Sequence, residues 1–177
     1  EVISAGDIQI VGDLVFATGQ QGLLTIDISD PTQPVLVSTF EPVPQSPFRD
    51  LVIEGDLAFL TSTSNSLFVV DISNPAVPVT LSQHNMVAPY GIAVDGNHVF
   101  IADWGVGLVI VDVTDPGAPV TVGSYTTPGT ARGVAVSGDF AYLADYAGGL
   151  RVFDIRDPSN PVPVGDVGPE WDSATPL

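Results

Sequence analysis

Apolar residues in this chain fall in short runs, some alternating with polar residues and some unbroken. No stretch sustains the 3.6-residue recurrence of an amphipathic helix. β-branched residues dominate the runs, which predicts strands. The last third of the chain displays the unit most clearly: "GVAVS" (133–137), "FAYLA" (140–144), "LRVFDI" (150–155) and "VPVGDV" (162–167). These four runs, A to D, occur four times over. Their third run and the turn after it read "LLTIDISDPTQPV" (23–35), "LFVVDISNPAVPV" (67–79), "LVIVDVTDPGAPV" (108–120) and "LRVFDIRDPSNPV" (150–162). Asp27, Asp71, Asp112 and Asp154 recur every 41–44 residues, and Gly12, Gly55, Gly96 and Gly138 keep the same rhythm. A glycine followed by Asp or Asn joins A to B, which suits a type II′ hairpin because glycine accepts positive φ. Gly-rich or Ser-rich loops join B to C. An Asp-Pro or Asn-Pro turn joins C to D, the acid bonding the backbone ahead of it.

Strand C is apolar on both faces, so both must be covered, and one four-stranded sheet cannot do that alone. Stacked four-stranded units of this period predict an all-β fold, a β-propeller of four four-stranded antiparallel blades. Strand A agrees with a crowded axis: Ile8, Leu51, Ile92 and Val134 are large on one face, and Gln9, Val52, Ala93 and Ala135 are mostly smaller on the other. Pro163 inside the fourth strand D would cost an interior ladder bond, so D is expected at the outer edge. The array is read as 6–167, with blades at about 6–40, 49–83, 90–125 and 132–167 and a linker or tail at 168–177. Three arrangements fit: a closed four-bladed ring, a dimer of halves, or a segment of a longer chain. The start at Glu1 and the linker-like tail favour an excerpt or an assembling protomer, whose end faces would be sticky.

At "LVIVD" (108–112) and the longer "ARGVAVSGDFAYLADYAGGLRVFDIRDPSNPVPVG" (131–165), the sequence resembles the LVIVD-repeat family. The resemblance covers about residues 5–167. It implies a β-propeller, often part of a secreted or surface-attached protein, and supplies no catalytic residues.

The charge balance narrows the partners. Four arginines and no lysine face 21 acidic residues, for a net charge of −17. Such a surface repels phosphate backbones and anionic lipid, so no nucleic acid partner is expected. No apolar run is long enough for a membrane span. The absence of cysteine excludes disulfides and thiolate metal sites. The acidic, lysine-free composition points to an extracellular or cell-surface setting.

Candidate chemistry gathers at two repeat positions. Just before strand A stand Gly6, Arg49, Tyr90 and Arg132, so half of the arginines share one position. Around a channel mouth they could hold a carboxylate. The plainer reading pairs each arginine with Asp50, Asp103 or Asp145. The B–C loops add Asp103 with Trp104 and Asp145 with Tyr146, an aromatic beside a carboxylate that could stack on a sugar. These seven residues (Arg49, Tyr90, Arg132, Asp103, Trp104, Asp145, Tyr146) are the candidate ligand site for a glycan or peptide. His98 falls at a packing position of strand B, and His84 falls in a linker. The Asp-Pro turns lack the oxygen density of a calcium site. No cofactor, metal or catalytic residue is expected. The function expected is a non-catalytic structural or interaction module that self-associates or continues into further blades. A glycan- or peptide-binding propeller is the alternative. A metal-assisted hydrolase, with Asp7 and Asp50 at the start of strand A, ranks below both.

Overall fold

A computed structural model describes residues 5–42 and 46–168. The predicted tail lies almost entirely outside the described residues. The described chain forms four four-stranded antiparallel sheets, each in sequence order from inner to outer strand. Blade 1 is β1 (Ala5–Val11), β2 (Leu14–Gly19), β3 (Gly22–Asp27) and β4 (Val35–Phe40). Blade 2 is β5 (Phe48–Glu54), β6 (Leu57–Ser62), β7 (Ser66–Asp71) and β8 (Val79–Asn85). Blade 3 is β9 (Pro89–Asp95), β10 (His98–Asp103), β11 (Gly107–Asp112) and β12 (Val120–Thr126). Blade 4 is β13 (Gly133–Ser137), β14 (Phe140–Ala144), β15 (Leu150–Asp154) and β16 (Val162–Val167). Pro163 sits on β16, the outer edge, where its missing N–H costs no interior bond. His84 lies within β8, not in a linker, and its Nε2 pairs with Thr121 Oγ1 of the next blade at 2.8 Å.

The hairpin glycines Gly12, Gly55, Gly96 and Gly138 have φ of 55–59°, while the residues after them keep negative φ. That combination is type II′ rather than I′. Each Asp-Pro or Asn-Pro turn holds two acceptor bonds. Asp27, Asp71, Asp112 and Asp154 accept from the backbone N–H two residues on, at 2.7–3.1 Å. Asp30, Asn74, Asp115 and Asp157 do the same at 2.9–3.2 Å.

Blades stack through three apolar layers. Phe16 and Leu23 of blade 1 meet Leu51, Leu60, Phe68 and Val70 of blade 2. Phe59, Leu67 and Val69 then meet Ile92, Ile101 and Val111 of blade 3. Phe100, Leu108 and Ile110 meet Leu143 and Phe153 of blade 4. Each fully buried Leu, Ile or Phe contributes about 1.5–3 kcal/mol of transfer free energy, so the layers dominate stability.

Two further contacts repeat from blade to blade. Every C–D pair carries a bulge at one place, between Thr25 and Ile26, Val69 and Val70, Ile110 and Val111, and Val152 and Phe153. At the bulge, Ser38 Oγ donates to Pro75 O at 2.7 Å and Ser82 Oγ to Pro116 O at 2.6 Å. In the third blade the same place is Gly123, where a Cβ would lie 2.0 Å from Pro158 O. The Asp-Pro turn of one blade therefore docks on strand D of the blade before it. Near the axis, strand A of one blade caps the free edge of the next. Gln9 Oε1 accepts from Ile53 N at 2.8 Å, Asp7 Oδ2 from Leu51 N at 3.4 Å, and Asp50 Oδ2 from Ile92 N at 3.0 Å.

The inner strands stack β1 on β5, β5 on β9 and β9 on β13, with no comparable stacking of β13 on β1. Ile8 is 61% exposed, whereas its counterparts Leu51 and Ile92 are 4% and 7% exposed. Leu150 is 42% exposed, whereas Leu23, Leu67 and Leu108 are each fully buried. Blade 1 keeps Val15, Ala17 and Leu24 buried beside Ile26 and Ile28, while Ile8 and Ile10 on β1 and Leu36 on β4 are exposed on its outward face.

Thr25 replaces the Val69 and Ile110 of the inner blades. Its Oγ1 is buried without a hydrogen-bond partner among the described residues. Replacing the hydroxyl by a methyl, Thr25→Val, should raise stability by about 1 kcal/mol, measured as a higher urea midpoint at unchanged m-value.

Candidate functional site

Two loop systems meet above the inner strands. Arg49 is the second residue of β5 and Tyr90 the second of β9, and Arg132 immediately precedes β13. Trp104 follows β10, its N–H donating to Ala88 O at 2.9 Å. Tyr146 opens a single 3-10 turn (Tyr146–Gly148) and holds φ at 32°, an uncommon backbone state for a residue with a side chain. Arg132 N donates to Ala144 O at 2.9 Å, which ties the approach to β13 to the end of β14.

The side chains converge. Cζ of Arg49 lies 4.0 Å from the Tyr90 ring centroid. Cζ of Arg132 lies 6.0 Å from the same ring and 4.8 Å from both the Trp104 and Tyr146 rings. Tyr90 and Trp104 are themselves 5.2 Å apart and tilted at 49°. Five of the seven candidate residues therefore form one alternating cluster of cations and rings spanning blades 2, 3 and 4. Contacts of this kind contribute about 0.5–1 kcal/mol each where exposed and more where desolvated.

Asp103 and Asp145 lie beneath it, fully buried, with structural work to do. Asp103 accepts from the N–H groups of Val87, Ala88 and Gly105 at 2.9–3.1 Å. Asp145 accepts from Thr127 Oγ1 at 2.9 Å, Gly129 N at 3.2 Å and Arg151 Nε at 3.0 Å. The two carboxylates organise the loops and do not face the cluster as ligand acceptors.

The expectation that Arg49 and Arg132 pair with Asp50, Asp103 or Asp145 is not met. Among the described residues the two ion pairs are Arg151 with Asp145 and Arg156 with Asp154. Arg49 Nη1 instead donates to Pro89 O at 3.0 Å. Geometry explains the difference. The carboxylates are consumed by backbone amides whose loops would otherwise carry orphan donors, and the guanidinium planes find aromatic faces first. Arg151 was legible in principle, because it replaces the apolar Leu24, Phe68 and Val109 of the other blades. A charge at a buried repeat position calls for a partner.

Asp7 and Asp50 also come together. The two carboxyl groups adjoin at the blade 1–2 boundary, each accepting a backbone N–H. Burial, then a hydrogen bond and like-charge repulsion from Asp7, raise Asp50 to about 7. Separately, an apolar groove of about 280 Å³ lined by Met86, Val87, Val106 and Val109 touches Asp103 but none of the cationic or aromatic cluster.

The LVIVD repeat model matches residues 4–41, 48–85, 90–127 and 128–168. This chain belongs to the LVIVD-repeat family. Among solved structures, LVIVD-chain similarity extends to the Pseudomonas aeruginosa periplasmic gluconolactonase PpgL, at 20% identity and a TM-score of 0.81, over 93% of this chain and 54% of that one. The computationally designed Ika8 protein is similar at 14% identity and a TM-score of 0.72, over 90% of this chain and 48% of that one. The N-terminal domain of Nup159 is similar at 12% identity and a TM-score of 0.60, over 93% and 48%. These likenesses share the fold, and the chain spans about half the length of the structures it matches. No curated protein matches the LVIVD chain.

The Asp50 shift has a definite sign. The fold holds the Asp50 proton up to about 7, while the unfolded chain releases it near the ordinary value of 3.8. The native state binds the extra proton between those limits, so this group's contribution to stability falls as pH rises from about 4 to 7. Asp50→Asn should flatten the dependence across that window, read as the melting temperature of each protein from pH 4 to 7.5.

Proposed function

We propose that this LVIVD array is a non-catalytic interaction module, working outside the cytoplasm, whose first partner is a second copy of itself. The observation that carries the reading is that blades 1 and 4 carry the two halves of the contact made three times between successive blades, which a second copy, or further blades of a longer chain, would complete. Blade 4 presents Phe140, Tyr142, Leu150 and Val152, at the repeat positions by which Leu57, Phe59, Leu67 and Val69 of blade 2 cover blade 3. Blade 1 presents Ile8 and Ile10, counterparts of the Leu51 and Ile53 that blade 2 offers blade 1.

Gly165 strengthens the match. It aligns with Gly123, which the Pro158 carbonyl closely approaches, yet a Cβ on Gly165 would meet nothing within 4 Å. The Asp-Pro turn of blade 1 in another copy, at Pro31, has the chemistry to fill that place. Two copies would also supply as much chain as the structures of which this one covers 54% and 48%. A heterologous contact of this kind closes into a ring if the rotation permits and extends into a filament if not.

The gluconolactonase acts on a sugar lactone, but the low identity supports only the shared fold. The loop carboxylates Asp103 and Asp145 are bound to backbone amides, Thr127 and Arg151, which supports a structural rather than a hydrolytic role for these two residues. The location rests on the lysine-free acidic composition and agrees with the periplasmic setting named for that neighbour.

Light scattering at low micromolar concentration should give at least twice the chain mass. Gly165→Leu on one end and Ile10→Asp on the other should each reduce association, while mixing the two variants should restore one intact contact. A concentration-independent monomer would overturn the reading, and gluconolactone hydrolysis above the uncatalysed rate would overturn its non-catalytic half.

A further inference from the structure

The cluster of Arg49, Tyr90, Trp104, Arg132 and Tyr146 is a charged site that assembly leaves unexplained. In a chain of net charge −17, a guanidinium is expected to find a carboxylate. Arg151 and Arg156 do so. Arg49 and Arg132 do not, among the described residues, and both approach the same Tyr90 ring. Arg132 makes no side-chain hydrogen bond among the described residues, so its fork of N–H donors remains open. It is exposed, and it lies over the rings of Trp104 and Tyr146, which are 40% and 71% exposed.

We propose that this cluster binds the carboxylate of an acidic sugar, a uronic acid unit, with Arg132 as its principal anchor. A planar fork recognises a planar carboxylate through two parallel hydrogen bonds. Stacking on rings holds that fork in place before a ligand arrives, which lowers the entropy cost of binding. The exposed faces of Trp104 and Tyr146 offer apolar surfaces for the C–H face of a pyranose carrying the carboxylate. Arg49, anchored to Pro89 O, keeps Tyr90 in position and adds positive charge.

A peptide is the weaker candidate because the backbone beside the cluster is taken. The N–H groups of Leu51, Ile53 and Ile92, on the free edge of the inner strands, already donate to Asp7, Gln9 and Asp50. No strand can be added there by main-chain pairing. The inference does not depend on assembly, since the residues involved come from blades 2 to 4 of one copy.

Calorimetric titration of the whole chain at fixed ionic strength should show saturable binding of a galacturonate oligomer. The uncharged galactose oligomer and an N-acetylated peptide with a free C-terminus should bind at least about tenfold more weakly. Arg132→Gln should weaken galacturonate binding about tenfold or more. Arg132→Lys, which keeps the charge without the fork, should fall between wild type and Arg132→Gln. Arg156→Gln, whose partner Asp154 lies on a distant turn, should bind as wild type does. Equal binding of the neutral oligomer would overturn the proposal, as would preference for the peptide. So would absence of galacturonate binding by a folded protein whose melting temperature drops on Arg132→Gln, which would make the cluster a weld between blades.

Discussion

Everything in this molecule follows from a strand that is apolar on both sides. Val69 and Val70, adjacent in β7, are both fully buried, one in the layer with blade 3 and the other in the layer with blade 1. A sheet built around such a strand cannot end at its own surface. It needs a neighbour on each face, and that neighbour has the same need. Repetition is thus the solution to the burial problem, and the Asp-Pro turns, bulges and carboxyl caps are devices that hold successive sheets in one register.

Those devices divide the labour by radius. At the outer edge, polar docking of a Pro carbonyl on Ser38 or Ser82 fixes the angle between blades. In the middle, dispersion and burial supply the energy. Near the axis, Asp7, Gln9 and Asp50 satisfy donors that face no further strand. Between blades 3 and 4 the method changes. Gly91 stands where Asp50 stands in blade 2, and a Cβ there would lie 2.6 Å from Arg132 O. Direct backbone approach replaces the carboxyl cap, and it draws the Arg132 segment toward Tyr90 and Trp104. The cation–ring cluster thus follows from the smallest side chain at the neighbouring inner strand.

The fold was legible because each of its causes has a period. Gly followed by Asp or Asn marks the II′ hairpin, an Asp or Asn before Pro marks the C–D turn, and Pro163 marks the edge strand, each testable against three other copies. The cluster was legible as an alignment of Arg49, Tyr90 and Arg132, together with Trp104 and Tyr146. Its internal bonding was not. Which partner a guanidinium chooses depends on what the nearby carboxylates have already accepted, and those acceptances come from loop amides that leave no mark in residue type. The unpaired arginines were therefore beyond a reading of the sequence, although the exceptional Arg151 did signal a buried partner.

Departures from the repeat carry more information about function than the repeat itself. Where four copies agree, packing is sufficient reason. Where Arg132 and Tyr146 stand exposed over the same end of the array, packing offers no reason for either. An exposed Tyr146 at φ 32° sits in a backbone state that costs energy, and the surrounding Asp145 network is what holds it there. Three bonds converge on that buried carboxylate, from Thr127, Gly129 and Arg151. Read physically, the acid's network holds that ring exposed and engages Arg151, while the Arg132 guanidinium meets rings and no carboxylate among the described residues.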